Sequence, residues 1–316
     1  MREIKSRKKL IITGAAGLVG LNFLTQIDSS RYNVLAIDKN VNNLELVKRI
    51  NPNIQILCAD ISAWGEWEKV FSETYCVIQL QAQISDPEQL PYIENNINSV
   101  KNVLDACKRY KIKNLIHISS SVVMSVAKDN YSNTKTRGEE LVLKSKVPYT
   151  VLRPPLMYGC FDIKHLGFLT KILEISPIFP VPSSGKFIRQ PLYVMNLVDI
   201  IIKLIEKKPE RKIYNIIGKE RIFFVDLIKI IARERKMLRL FINIPLPIFD
   251  SLLRIYSLIT GKKPFVPAQL NALVAGDVFS VDNWEDKFKI KYTPFLEGIK
   301  KTINSKYYKY SKIMKK

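Results

Sequence analysis

Lys9 to Gly20, KLIITGAAGLVG, is the stretch on which the fold turns. Leu10, Ile11 and Ile12 form a short apolar, β-branched run of the length of a buried strand. It leads straight into Gly14, Gly17 and Gly20, and a helical pattern runs from Leu18 to Ile27. Strand, glycine turn and helix make a dinucleotide cradle. Backbone without Cβ lets a pyrophosphate approach, and the helix N-terminus offers free N–H groups and partial positive charge. Leu18 and Val19, between the second and third glycines, belong to the same candidate cofactor set. The spacing is G-x-x-G-x-x-G rather than G-x-G-x-x-G, and a plain tight turn is the competing reading.

Outward from this turn, Asn33 to Asp38 is predicted as a second strand ending in an acid, 18 residues after Gly20. A carboxylate there can accept both ribose hydroxyls and would repel a 2′-phosphate, which favours NAD; Lys39 beside it leaves NADP open. Ile54–Cys58, Tyr75–Leu80, Leu115–Ser119 and Tyr149–Leu152 are predicted strands, with helical spacing over Ile93–Tyr110 and Thr136–Lys144. Strands alternating with helices predict an α/β fold, a Rossmann-like doubly wound parallel sheet, with ligands at the loops that follow the strands. The expected organisation is a cofactor-binding domain over 1–155 and a smaller α/β substrate-binding part over 156–316 with a basic tail. Segments of about 190–217, including a strand at Ile213–Ile217, complete the sheet. Prolines at 154, 155, 177, 180, 182 and 191 make the second half less regular, and Phe224–Arg233 has helical spacing.

The 316 residues are 47% hydrophobic and 25% charged, an ordinary globular composition. The net charge of +21 is not ordinary. It suits an anionic membrane face or phosphate-bearing substrates, and no nucleic-acid motif accompanies it. A lysine-rich proteome is the bland account. Cys58, Cys76, Cys107 and Cys160 lie far apart and form no C-x-x-C pair, so neither a disulfide framework nor a metal site is expected. The short polar run before the first strand predicts no signal peptide, and no apolar run has the length of a spanning helix. A cytoplasmic protein is the expectation.

Tyr131-Ser132-Asn133-Thr134-Lys135 supplies Tyr and Lys four residues apart, one helical turn. A lysine ammonium near a phenol favours the phenolate, which a tyrosine needs to act as a base at neutral pH. Upstream, Ser119, Ser120 and Ser121 end a strand and offer hydroxyls for a substrate oxygen.

With these residues in view, the chain resembles the extended short-chain dehydrogenase/reductases of the nucleotide-sugar epimerase/dehydratase group. The matching stretches are TGAAGLVG, Asp38, Ala59-Asp60-Ile61, VIQLQAQ, NNINSVKNVLDAC, HISSS, YSNTK, TVLRPPLMYG and RQPLYV, in family order from Lys9 to about Ile217. The resemblance implies Tyr131 as acid/base, Lys135 as the residue that positions it and the ribose, and Ser120 on the reacting oxygen. Ser121 is a near alternative and a candidate substrate contact. It further implies Asp60 and Ile61 against the adenine, Leu80, Gln81 and Ala82 beside the cofactor, and Pro154, just after Arg153, near the nicotinamide. Arg189 is the candidate for a sugar diphosphate, against the alternative of a surface arginine.

Three departures from the family pattern carry expectations. Gln79-Leu80-Gln81-Ala82 replaces H-x-A-A, so the bulky Gln81 is expected to alter the cofactor pocket. Tyr131 follows Ser120 by only 11 residues, a trimmed substrate-side loop. Val122 and Val123 stand where sugar dehydratases carry an Asp-Glu pair, which favours epimerisation. The expected function is NAD-dependent sugar epimerisation, at C4, of a nucleotide sugar or lipid-linked sugar in surface-polysaccharide synthesis. The alternatives are a net NAD(P)-dependent oxidoreductase of the same fold, or a non-catalytic nucleotide-binding accessory protein, which the retained Ser, Tyr and Lys oppose.

Pro245 to Phe265, PLPIFDSLLRIYSLITGKKPF, joins an apolar helical face of Phe249, Leu252, Leu253, Tyr256 and Ile259 to Lys262 and Lys263. That is the pattern of an interfacial helix, and it resembles the corresponding stretch of lipid-linked N-acetylglucosamine 4-epimerases. A peripheral membrane contact is therefore expected. Packing of this face within the substrate half, or in a homodimer, is the alternative.

Overall fold

In the computed structural model, residues 7–126, 128–260, 274, 276–312 and 314 are described. Lys262, Lys263 and Phe265, like residues 1–6, lie outside them. Seven strands form one parallel sheet: β1 (Lys8–Thr13), β2 (Tyr32–Asp38), β3 (Gln55–Cys58), β4 (Cys76–Gln79), β5 (Leu115–Ile118), β6 (Tyr149–Arg153) and, at one edge, Ile213–Asn215. The order is β3-β2-β1-β4-β5-β6 and then Ile213–Asn215, so the strand order reverses between β1 and β4. Crossovers leave β1 and β4 in opposite directions there and open a crevice at the strands' carboxyl ends. Leu10, Ile11 and Ile12 are fully buried because helices cover both faces of the sheet.

One apolar cluster lies on the side of α1 (Leu18–Leu24) and includes Leu10, Ile12, Ile116 and Leu152. The helix Val194–Ile205, which the sequence reading passed over, adds Val198, Ile201 and Ile205 to it. The other face holds Ile11, Val77 and Val151 against Val100, Val103 and Cys107 of α4 (Ser99–Arg109). The sequence reading also passed over α2 (Val41–Ile50), which begins where the Asn40 side chain accepts the Asn43 N–H. A third cluster, around Phe179, Phe224, Leu227 and Phe295, belongs to the second half of the chain.

The predicted helix over Ile93–Tyr110 is one turn longer at its start, α3 (Leu90–Ile93), and carries a π-helical turn at Glu94–Asn98 that joins it to α4. Beside it lies α5 (Asn130–Lys144), which starts six residues before the predicted Thr136. A reciprocal cap sets that start: Ser132 N–H donates to Asp129 Oδ1 (2.7 Å) and Asp129 N–H to Ser132 Oγ (2.8 Å). Tyr131 and Lys135 are thereby placed in consecutive turns. The two helices touch backbone to backbone, since a Cβ on Gly138 would lie 2.3 Å from the Asn96 carbonyl oxygen.

The helix Leu246–Thr260 divides the apolar face read from the sequence. Phe249 and Leu253 are half-buried, Leu252 and Ile259 are exposed, and the Tyr256 side chain lies outside the described residues. Ile248, Leu252, Ile255, Leu258 and Ile259 face outward, with Leu258 85% and Ile259 79% exposed. Periodicity finds an apolar stripe but cannot say which side the protein covers. Among the described residues no helix is long and apolar enough to cross a membrane.

Candidate active site

A cleft of about 780 Å³ opens where the strand order reverses. Gly14, Gly17, Leu18, Val19, Asp38, Lys39, Asp60, Ile61, Leu80, Gln81, Ala82, Ser120, Ser121, Tyr131, Lys135, Pro154 and Arg189 all line it. Gly20 lies one turn inside α1, where a Cβ would meet the Ala15 carbonyl oxygen at 2.3 Å. Gly14 has φ +69°, and a Cβ there would lie 2.5 Å from the Gln81 backbone nitrogen. At Gly17 the only close neighbour of such a Cβ is the Gly14 carbonyl, at 3.4 Å. Gly17 caps α1 with no side-chain hydrogen bond, so the first amides of the helix face the cleft bare. An uncapped helix start behind a side-chain-free turn fits a dinucleotide pyrophosphate.

Asp38 ends β2, and its carboxylate is already engaged. Oδ2 accepts the Ala16 N–H (3.0 Å) and Oδ1 the Asn40 N–H (2.9 Å). Burial pushes its carboxyl up, and these amides hold it back only in part. Asp38 therefore fixes the glycine loop as well as presenting oxygens to the cleft. Lys39, which left NADP open, points across to Asp60 (Nζ–Oδ2 3.4 Å). The Gln81 side chain is tied back rather than loose in the cleft. Its Oε1 accepts from Thr13 Oγ1 (2.6 Å) and its Nε2 donates to Ser99 Oγ (3.3 Å).

Ser120 and Tyr131 both line the cleft, and the Ser120 hydroxyl accepts the Val122 N–H at 3.4 Å. Ser121 is buried, with its N–H on the Pro154 carbonyl (2.9 Å), and it lines the cleft as Ser120 does. Lys135 is 2% exposed, and its Nζ donates to the Ile118 carbonyl at 2.9 Å. Burial lowers its pKa to about 8, against a raising influence of Glu139 one turn on. Glu139 is in turn held by a bidentate ion pair with Arg153, whose Nε lies 2.9 Å from Oε2. The expectation that Lys135 draws the Tyr131 phenol down is not met in the protein alone. Burial pushes Tyr131 up to about 12, with the Ser120 hydroxyl opposing and Asp129 adding to the rise. The Lys135 Nζ is turned to the Ile118 carbonyl.

Arg189 is a wall of the cleft, not a surface residue. Burial lowers its pKa to about 10, against a raising influence of Asp277. Asp277 also accepts the Ser125 hydroxyl. Gln190 holds this far segment in place, its Oε1 accepting the Phe279 N–H at 2.7 Å. Asp277 and Phe279 were absent from the sequence reading, as was Asn96. Asn96 ties Gln83 (N–H to Oδ1 2.8 Å) to Thr134 (Nδ2 to Oγ1 3.0 Å), so the loop after β4 and the Tyr131 helix are braced by one side chain. A polar residue inside a helical pattern next to a π-helical turn is the signal for it. Asp277 lies in a stretch without periodicity, 88 residues from Arg189, and leaves no such trace.

The chain's likeness to known proteins agrees with this geometry. The family model for the NAD dependent epimerase/dehydratase family matches residues 10–216. A dTDP-D-glucose 4,6-dehydratase of Dictyostelium discoideum is 25% identical over 252 residues, 66% of this chain and 58% of that protein. An N-acetyl-alpha-D-glucosaminyl-diphospho-ditrans,octacis-undecaprenol 4-epimerase of Escherichia coli O157:H7 is 24% identical over 283 residues, 80% of this chain and 81% of that one. Among solved structures, the Bordetella bronchiseptica enzyme WbmG in complex with NAD and UDP has the same fold. The TM-score is 0.76 at 16% identity, covering 97% of this chain and 96% of that chain. Family model, sheet order and glycine cleft agree: the chain belongs to the NAD-dependent epimerase/dehydratase family.

Proposed function

We propose that this protein is an NAD-dependent 4-epimerase of a sugar carried on a diphosphate, either a nucleotide sugar or a lipid-linked sugar. The observation that carries the reading is that Ser120, Tyr131 and Lys135 line the glycine cleft together, with Lys135 one turn beyond Tyr131 along the same helix. Gly14, Gly17, Asp38, Asp60 and Ile61 would hold NAD. NAD, when bound, supplies a hydride acceptor that is also the donor for the return. Tyr131 Oη takes the proton of the C4 hydroxyl as that carbon becomes a ketone, and gives it back after the sugar has turned over. Ser120 Oγ holds the same oxygen. Lys135 keeps a positive charge beneath the site at pH 7, and Arg189 meets the diphosphate.

Isomerisation is favoured over dehydration by the wall after Ser121. It carries Val122 and Val123, and the nearest acid along the chain, Asp129, is occupied in capping α5. Loss of water needs an acid for the leaving hydroxyl, and that wall supplies none. The test is to purify the protein, identify any nucleotide that comes with it, and incubate it without added cofactor. UDP-N-acetylglucosamine, UDP-glucose and a polyprenyl-diphosphate N-acetylglucosamine are the substrates. The expected result is a C4-epimer mixture from at least one of them, with no build-up of reduced cofactor. A 4-keto-6-deoxy product, or stoichiometric reduction of NAD, overturns the reading.

Asp38→Ala is expected to weaken NAD by roughly tenfold or more while leaving NADP binding nearly as it was, since a carboxylate repels a 2′-phosphate. Calorimetric titration of both nucleotides checks this. An equal loss for the two would show that Asp38 acts only through its hydrogen bond to the Ala16 N–H.

A further inference from the structure

Beyond the cleft lies a second, larger cavity of about 1430 Å³. Phe168, Leu169, Ile172, Phe179, Phe249 and Leu253 supply much of its wall. It is not a separate chamber. Ser85, Asp162, Ile163, Lys164 and Met314 line both it and the candidate catalytic cleft. We propose that this cavity takes the isoprenoid chain of a lipid-diphosphate-linked sugar, with the polar head reaching the Tyr131 cleft through the shared neck. The inference rests on the 4-epimerase reading and names the carrier of its substrate.

Three observations choose the lipid. First, the nucleoside of a nucleotide sugar needs hydrogen-bonding partners for its base, whereas a wall of phenylalanine, leucine and isoleucine offers a flexible apolar chain contact along its length. Second, the helix that closes the cavity is two-sided. Phe249 and Leu253 face inward and line it, while Ile248, Ile255, Leu258 and Ile259 stand out in solvent. The adjoining strand Leu240–Ile244 exposes Leu240 (59%) and Ile242 (41%), and its partner Ile178 (45%) lies opposite Leu240. An apolar rim around an apolar cavity is the arrangement for a molecule extracted from a bilayer. Third, the chain carries a net charge of +21, which draws it to the anionic membranes where such carriers reside.

The experiment measures binding, not turnover, and uses the full chain with NAD, both wild type and Tyr131→Phe. The probes are geranylgeranyl diphosphate in detergent micelles and inorganic diphosphate under the same conditions. Geranylgeranyl diphosphate is expected to bind at least roughly a hundredfold more tightly, because each buried methylene adds to the affinity. Leu169→Glu puts a charge into the wall, and Ile172→Trp fills the cavity without one. Each is expected to cut that preference at least tenfold while circular dichroism shows a folded protein. Equal affinity for the two probes, or a preference unchanged in both variants, overturns the proposal. So does a concentration-dependent dimer that Leu258→Glu dissolves, if no lipid preference accompanies it; that assigns the apolar face to a second copy of the chain. Lipid binding without epimerisation of any sugar would refute the epimerase reading instead, so the two failures are distinguishable.

Discussion

Replacing Tyr131 by Phe is expected to lower turnover about a thousandfold or more, with the fold and NAD affinity nearly unchanged. The substitution removes one oxygen and nothing else. Among the described residues no other phenol or thiol lines the cleft, and its one imidazole is His165 at the start of the helix Leu166–Ile175. The effect should fall on kcat, because the proton moves only as the hydroxyl becomes a ketone. Burial holds the phenol near 12 in the protein alone, so its work as a base requires the charge of Lys135 and of bound cofactor. Single-turnover kinetics beside equilibrium NAD titration make the check. A variant within tenfold of wild type would remove Tyr131 from the chemistry. A fallen NAD affinity would give it a binding role instead.

Lys135→Met is expected to cost about a hundredfold or more in turnover and yet raise the melting temperature by a few degrees at pH 7. The side chain is fully enclosed, and burial lowers its pKa to about 8 from an ordinary 10.5. Holding that charge in the folded state costs roughly 3 kcal/mol, and a methionine of similar length fills the space without it. The lost hydrogen bond to the Ile118 carbonyl returns about 1 kcal/mol of this. The pH dependence gives the sharper check. Between about pH 8 and 10.5 the unfolded chain holds a proton that the folded protein has released, so wild-type stability rises with pH across that window. The variant has no such group. Its advantage is complete below about pH 8 and fades towards 10.5. Thermal melts of both proteins from pH 6 to 10 read this directly, and a variant less stable than wild type at every pH would show that the Ile118 bond and the Glu139 charge outweigh desolvation.

These two effects share a cause that recurs through the site: a polar group is valuable to the reaction where it is costly to the fold. Lys135 sits over Glu139 and Arg153, a buried pair that would be left with an unmatched charge if either member were lost. Asn96 does comparable work with a neutral side chain, holding the loop after β4 and the Tyr131 helix together through Gln83 and Thr134.

By itself the sequence determined the parallel sheet, the glycine cleft and the spacing that sets Tyr131 and Lys135 on one helix. Each is written locally: a β-branched run before Gly14, an acid at the end of the second strand, a tyrosine and a lysine one helical turn apart. Local rules of this kind act over a few residues and survive without tertiary contacts. The tertiary structure decided what each group touches. It turned Lys135 to the Ile118 carbonyl, gave Asp38 the Ala16 amide, and set Asp277 against Arg189 across 88 residues of chain. It also divided the apolar face of the helix Leu246–Thr260, half-burying Phe249 and Leu253 and exposing Leu252 and Ile259. Hydrophobic periodicity reports that a helix has an apolar side; which side is covered depends on what folds against it, and that partner lies elsewhere in the chain or in another molecule.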